Sequence, residues 1–351
     1  MVAEPVPSAQ PARTPSLALG IQPIPRLPPF TYNADNLPLE WFGGDPGRTA
    51  VWNSLSVLAE VGEARFIRTG RWLLDRITCP AAAEETARFI QQEASHSAVH
   101  RRFNRVLKEQ GRPVPETRRL AEMLFDWIAE HAGHEMVVAV SLAGEQAVGE
   151  LGHATLEHPA HLDCAHADVR QMWLWHWYEE VEHQAALHDG FTHVVGMGRR
   201  GQALRVLGAL YAIVYVGVVW PATSVAMARS GGARTSLRTW RPVLRQMFSR
   251  NGLLVGTVRN LWALPRRDFH PFSVHDPRPA LQEWDGTAVK AEWAQKVRLP
   301  GRHGGRADEA LPQVSARTVW TAVRFVGVAV MAALRFLWET RRRDETRAEP
   351  G

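Results

Sequence analysis

The sequence predicts an all-α protein: a four-helix bundle of long helices, followed by a further apolar helix and a C-terminal helical or irregular extension. Three observations predict it. Apolar residues recur at helical spacing over four stretches of roughly thirty residues each. Proline and glycine mark short connections between them, and strand signals are nearly absent.

Met1 to Pro29 is proline-rich, with no early basic cluster and no apolar run, which predicts a flexible tail rather than a secretory signal or a helix. Tyr32 to Gly47 is an irregular lead-in. The first helix is expected from about Arg48 to Ile77, where Val51, Leu55, Leu58, Phe66 and Leu73 keep a helical period. The second follows Pro80, a first-turn residue, and stops at Gly111 and Pro113. Pro115 opens the third, expected to break near Gly133 and to end at His158-Pro159. The fourth is expected from His166 to Val195, closed by Gly196-Met197-Gly198. Val206 to Ala228 has no charged residue and is long enough to span a bilayer, but reads as a buried or membrane-surface helix. Arg229 to Arg317 reads as loop-rich, and Val319 to Trp338 as an amphipathic helix. The organisation expected is a tail and lead-in over 1–45, a metal-binding bundle over 46–198 and an extension packing on it over 199–351.

Composition narrows the function. The 41 basic residues face 36 acidic ones, so a net charge of +5 makes any basic surface local and does not imply nucleic acid. Two cysteines without C-x-x-C spacing, Cys79 and Cys164, give neither a disulfide framework nor a thiolate zinc site. They point to a reducing, cytoplasmic setting, with membrane association left open by the apolar segment. The sequence contains no nucleophile elbow, phosphate loop or dinucleotide fingerprint.

The chemistry concentrates in the second and fourth helices. Glu93, His96 and His100 are spaced by three and four, so they share one helical face; His176, Glu180 and His183 repeat the arrangement in reverse order. Two Glu/His units on separate helices, each beside a helix offering a glutamate, form the pattern of di-iron and di-manganese bundles. The first helix offers Glu63 and the third Glu145. Glu63, Glu93, His96, Glu145, Glu180 and His183 give four carboxylates, whose charge two divalent cations balance. A long crossover would make the second helix antiparallel to the fourth, bringing His100 and His176 to one end of the site. His176 is then a seventh ligand, and His100 an eighth ligand, a proton donor or a ligand to a third metal. Glu179 and Glu182 point off this face and read as solvent-side charges, and Glu60 and Glu150 as exposed or supporting residues. His131, His134, His153, His158, His161 and His166 read as surface histidines.

The strings Phe89-Ile-Gln-Gln-Glu-Ala-Ser-His-Ser-Ala-Val-His-Arg-Arg-Phe-Asn104, Gly62-Glu63-Ala-Arg-Phe66 and Trp175-His-Trp-Tyr-Glu-Glu-Val-Glu-His183 resemble the bacterial "predicted metal-dependent hydrolase" family. Phe269-His-Pro-Phe272 resembles it more loosely. The resemblance implies a ferritin-like metal site on the eight residues above. The fourth-helix spacing is also similar to that of di-iron p-aminobenzoate N-oxygenases. A carboxylate-rich set with few imidazoles suits iron, with manganese or zinc as alternatives. The expected chemistry is dioxygen-dependent oxidation of an apolar small molecule, served by an electron donor. A two-metal hydrolase with a metal-activated water is the alternative, and an iron-handling bundle the third option.

Overall fold

The computed structural model describes residues 15–285, 292–296, 314 and 316–348. Among these there are helices and two isolated β-bridges, Arg26 to Ala294 and Phe42 to Ala165, but no strand.

A single turn, α1 (Pro15–Ala18), precedes the bundle. Helix α2 (Pro46–Leu74) starts where Asp45 accepts a hydrogen bond from the Arg48 amide and Pro46 fits the first turn. Helix α3 (Pro80–Glu109) again begins on proline and is followed by Gly111 at φ 82°, a left-handed conformation that favours glycine. The third stretch is two helices, α4 (Val114–Ala132) and α5 (His134–Glu157), broken at Gly133 as expected. The fourth is also two, α6 (Ala167–His183) and α7 (Ala186–Val194), with the break directly after His183.

Cross-contacts give the connectivity. Gln92, His96 and His100 of α3 meet His183, Glu179 and His176 of α6 in reverse order, so the two run antiparallel. Thr69 meets Ser141 and Phe66 lies against Gly144 across α2 and α5, again in reverse order, so these two are antiparallel too. Helix α4 is therefore the long crossover, itself helical.

The apolar segment forms α8 (Arg199–Val214), a π-helical turn over Tyr215–Val219 and α9 (Trp220–Ser230), packed on α5 and α2. The stretch read as loop-rich instead contains α10 (Leu237–Phe248), α11 (Leu253–Leu261) and α12 (Arg278–Asp285). Helix α13 (Ala316–Ala348) lies on α4, α8 and α9, burying Phe325, Ala329, Ala333 and Phe336. The spans Arg199–Ser230 and Thr318–Thr346 are long and apolar enough to cross a membrane by length and composition.

Residues 1–14 of the expected tail lie outside the described residues, and the rest departs from it. From Ile21 to Phe30, buried and exposed residues nearly alternate, as in an extended strap laid on the bundle, and Arg26 is fully buried.

Candidate metal centre

The eight residues singled out by spacing are all buried in the bundle core. At one end, His183 Nε2 lies 3.0 Å from Glu145 Oε1, 3.1 Å from Glu93 Oε1 and 3.4 Å from Glu180 Oε2. His96 Nδ1 lies 3.2 Å from Glu180 Oε1 and 3.7 Å from Glu93 Oε1. At the other end, His176 Nε2 is 3.3 Å from Glu180 Oε1, and Glu63 Oε1 is 3.6 Å from His100 Nε2. Glu180 thus stands between the two groups. Close as they are, both oxygens of Glu63, Glu93 and Glu145, Oε2 of Glu180, Nδ1 of His96 and Nε2 of His176 and His183 have no hydrogen-bond partner. Buried polar atoms are normally satisfied. Ten converging atoms of ligand type without partners fit a set that faces a cation rather than one another. Four of these residues, Glu93, His96, Glu180 and His183, offer atoms within 4.8 Å of one another, and so do Glu63, His100 and His176.

The hydrogen bonds behind the histidines assign their tautomers. Gln92 donates its amide to Glu182 Oε2 at 2.6 Å, so its oxygen faces His183 Nδ1, which donates at 2.9 Å and leaves Nε2 with a lone pair toward the carboxylates. His96 donates Nε2–H to Glu179 at 3.1 Å, so Nδ1 is the atom that a cation takes in place of a second proton. The Asn104 amide donates to Glu60 Oε2 at 2.9 Å, so its oxygen accepts from Ser56 at 2.8 Å. Ser56 has spent its proton and accepts from His100 Nδ1 at 2.8 Å. His100 Nε2 is then a lone pair 3.3 Å from His176 Nδ1, which donates to it and turns its own Nε2 inward. An outer hydrogen bond to each imidazole is how metal-binding histidines are oriented.

Electrostatics agree. Burial, and then the neighbouring Glu93, push the Glu63 carboxyl well above its ordinary value; burial pushes Glu145 up to about 8. Burial alone would lower His96, but the carboxylates of Glu179 and Glu180 raise it to about 10. Burial pushes His100 down to about 3, and holds His176 well below its ordinary value, so both are neutral. The carboxylate end of the cluster demands positive charge, which a divalent cation supplies while displacing protons.

Residues 25–275 match the family described as "predicted metal-dependent hydrolase". The chain belongs to this family. No curated protein and no solved structure matches it. The family match takes in the whole cluster and also reaches Arg26, whose importance spacing could not show. Arg26 sends its guanidinium to Glu179 Oε1 at 2.9 Å and to Glu182 Oε2 at 3.0 Å, all three side chains being buried. Glu179 and Glu182 are therefore not solvent-side charges. They form the outer hydrogen-bonded ring, on which His96 and Gln92 rest.

Other expectations change as well. Glu60 is buried and paired with Arg118 at 2.8 Å and Arg101 at 3.2 Å. Glu150 is buried away from the cluster, where Asn260 and His275 donate to it. His153 is buried and stacked on His275, whereas His131 and His134 are exposed. His270 accepts from the Phe272 amide at Nδ1, so its Nε2–H donates to Asp189. That assignment leaves His270 no lone pair for a cation, although it stands with His188 and Asp189 in a ligand-like group.

Beside Glu63, His176 and Glu180 lies a cavity of about 100 Å³ between α2, α5, α6, α8 and the π-helical turn. Leu55, Phe66, Leu151, Trp177, Tyr211 and Tyr215 line it, and among the described residues no Lys, Arg, Asn, Gln, Ser or Thr does.

Proposed function

We propose that Glu63, Glu93, His96, Glu145, His176, Glu180 and His183 hold two divalent cations, iron in the first place, and that the protein oxidises an apolar small molecule with dioxygen. The observation that carries the reading is the cavity: among the described residues its side-chain polar groups are those of the cluster itself, two tyrosine hydroxyls and indole nitrogens. Hydrolysis develops negative charge on an oxygen and calls for strong donors aimed at it; among the described residues these walls hold no cationic or amide side chain, only tyrosine hydroxyls and indole N–H groups in an otherwise apolar lining. An apolar slot against a metal pair suits reaction at carbon instead. Bound iron would supply the redox equivalents that dioxygen chemistry needs.

The chain's own residues do the rest. Leu55, Phe66 and Leu151 bind and orient an apolar substrate by shape. Trp173 and Trp177, both fully buried, keep water from the cluster. Ser56 and His100 hold the ring of His176 with Nε2 inward. Glu145 keeps a proton near neutral pH until a cation replaces it.

The family description favours a second reading, a two-metal hydrolase in which the pair lowers the pKa of a bound water. Metal analysis after unbiased loading, with absorption spectra before and after oxygen, separates the two. About two irons per chain and an oxygen-dependent near-ultraviolet band support oxidation. Tight zinc or manganese with ester cleavage and no oxygen uptake would establish the hydrolase, and loss of all metal on gel filtration would remove both.

A further inference from the structure

Residues 229–267 carry nine arginines and no lysine, aspartate or glutamate. This segment builds α10 and α11, which pack on each other and on the bundle through Val243, Met247, Leu254 and Leu261. Their opposite faces are apolar as well as basic. On α10, Leu237, Arg241, Leu244, Arg245 and Phe248 follow one helical stripe, all exposed. Along α11 and its C-cap, Val255, Val258, Arg259 and Trp262 repeat the pattern. Leu237 is 76% exposed, Phe248 60% and Trp262 63%, values that water-facing leucine, phenylalanine and tryptophan seldom combine in neighbouring helices. None of Arg238, Arg241, Arg245 and Arg259 forms an ion pair among the described residues. Helix α13, which packs on α8 as α11 does, also carries exposed apolar residues, Trp320, Met331, Leu334 and Trp338.

We propose that the α10–α11 pair seats this protein on an anionic lipid surface. The apolar side chains enter the headgroup boundary while the interleaved arginines meet lipid phosphates and carboxylates. Charge selects this occupant. A second copy of the chain would bring two acid-free arginine surfaces together across a two-fold axis, which repels. Nucleic acid would match the arginines but would leave Leu237, Phe248 and Trp262 against phosphates. A bilayer interface satisfies both halves of the stripe.

The test is flotation of the full chain with vesicles of phosphatidylcholine, with and without about 30 mol% phosphatidylserine. We expect binding to the anionic vesicles at least about 10-fold tighter than to the neutral ones, falling with added salt. Arg241→Glu with Arg245→Glu should weaken it about 25-fold or more, at roughly fivefold for each arginine lost near the surface. Phe248→Ser with Trp262→Ser should also release the protein, with circular dichroism and thermal melting confirming the fold. Should the serine pair not fold, the arginine pair, at exposed positions, decides alone. The proposal is overturned if wild type floats with neither vesicle, or if the arginine pair leaves flotation unchanged. It is equally overturned if duplex DNA binds more tightly than vesicles, or if light scattering shows a lipid-free dimer that the serine pair dissolves. Vesicle binding needs no metal, so its outcome is independent of the reading of the cluster.

Discussion

His100 Nδ1 lies 2.8 Å from the Ser56 hydroxyl, and that contact decides which nitrogen of His100 faces the buried carboxylates. Ser56 can only accept there, because its proton goes to Asn104. One hydroxyl on α2 thereby orients two imidazoles in sequence, His100 and, through it, His176. Ser56→Ala should weaken metal affinity about 10- to 100-fold, as loss of an outer partner does elsewhere, and Ser56→Thr should restore most of it. Chelator competition reads this directly. Unchanged affinity in Ser56→Ala would show that the tautomer is not passed on.

Glu180 stands within 3.2 to 3.4 Å of His96, His176 and His183. Glu180→Ala is expected to cut bound metal from about two ions per chain to one or none. Glu130→Ala, on an exposed turn of α4, should retain the full complement. Elemental analysis of both variants, purified alongside wild type, checks it.

Arg26 is the sole guanidinium paired with Glu179 and Glu182 among the described residues. Removing one partner of a buried ion pair strands the remaining charge, at a cost of about 3–5 kcal/mol. Arg26→Ala should lose stability of that order in urea unfolding and should also loosen metal binding, since His96 rests on Glu179. A loss below about 1 kcal/mol would mean the strap is peripheral.

The pH dependence follows from two raised groups, Glu145 at about 8 and His96 at about 10. Each is raised above its unfolded value, so its proton stabilises the fold. That contribution is complete below about pH 4.5 for Glu145 and 6.5 for His96, and is lost as pH rises through 8 and 10. A cation takes the place of these protons. The gain in Tm on adding ferrous iron should therefore grow from pH 6.5 to 9. A gain that is flat or shrinks over that range would detach both groups from the metal.

The cavity can be closed without touching the ligands. Ala147→Phe projects into it from α5 and should abolish binding of a small apolar probe such as toluene while metal content stays unchanged. Overpacking of this kind costs about 1–3 kcal/mol, which thermal melting would register. Retained probe binding would place the substrate slot elsewhere.

The helical class and the faces that carry the cluster follow from residue order alone. Covalent spacing of three and four residues puts Glu93, His96 and His100, and likewise His176, Glu180 and His183, on one side of a helix whatever surrounds it. The crossover connectivity comes from the bundle pattern rather than from the residues; given it, the reversed order of the two motifs brings His100 and His176 together, as they are found. What spacing could not contain was anything resting on a partner distant in the chain. Glu179 and Glu182 point off the ligand face of α6, and only the burial of Arg26, about 150 residues earlier, turns them from solvent charges into supports for His96 and Gln92. No glycine or proline marks the break after His183, so spacing could not show it, whereas α10 and α11 were hidden by the proline, glycine and aromatic residues of their stretch, Pro242, Gly252 and Gly256 among them. Local chemistry decided where a metal could be held; tertiary packing decided which nitrogen of each histidine faces it, because a tautomer is set by the hydrogen bond on the far side of the ring.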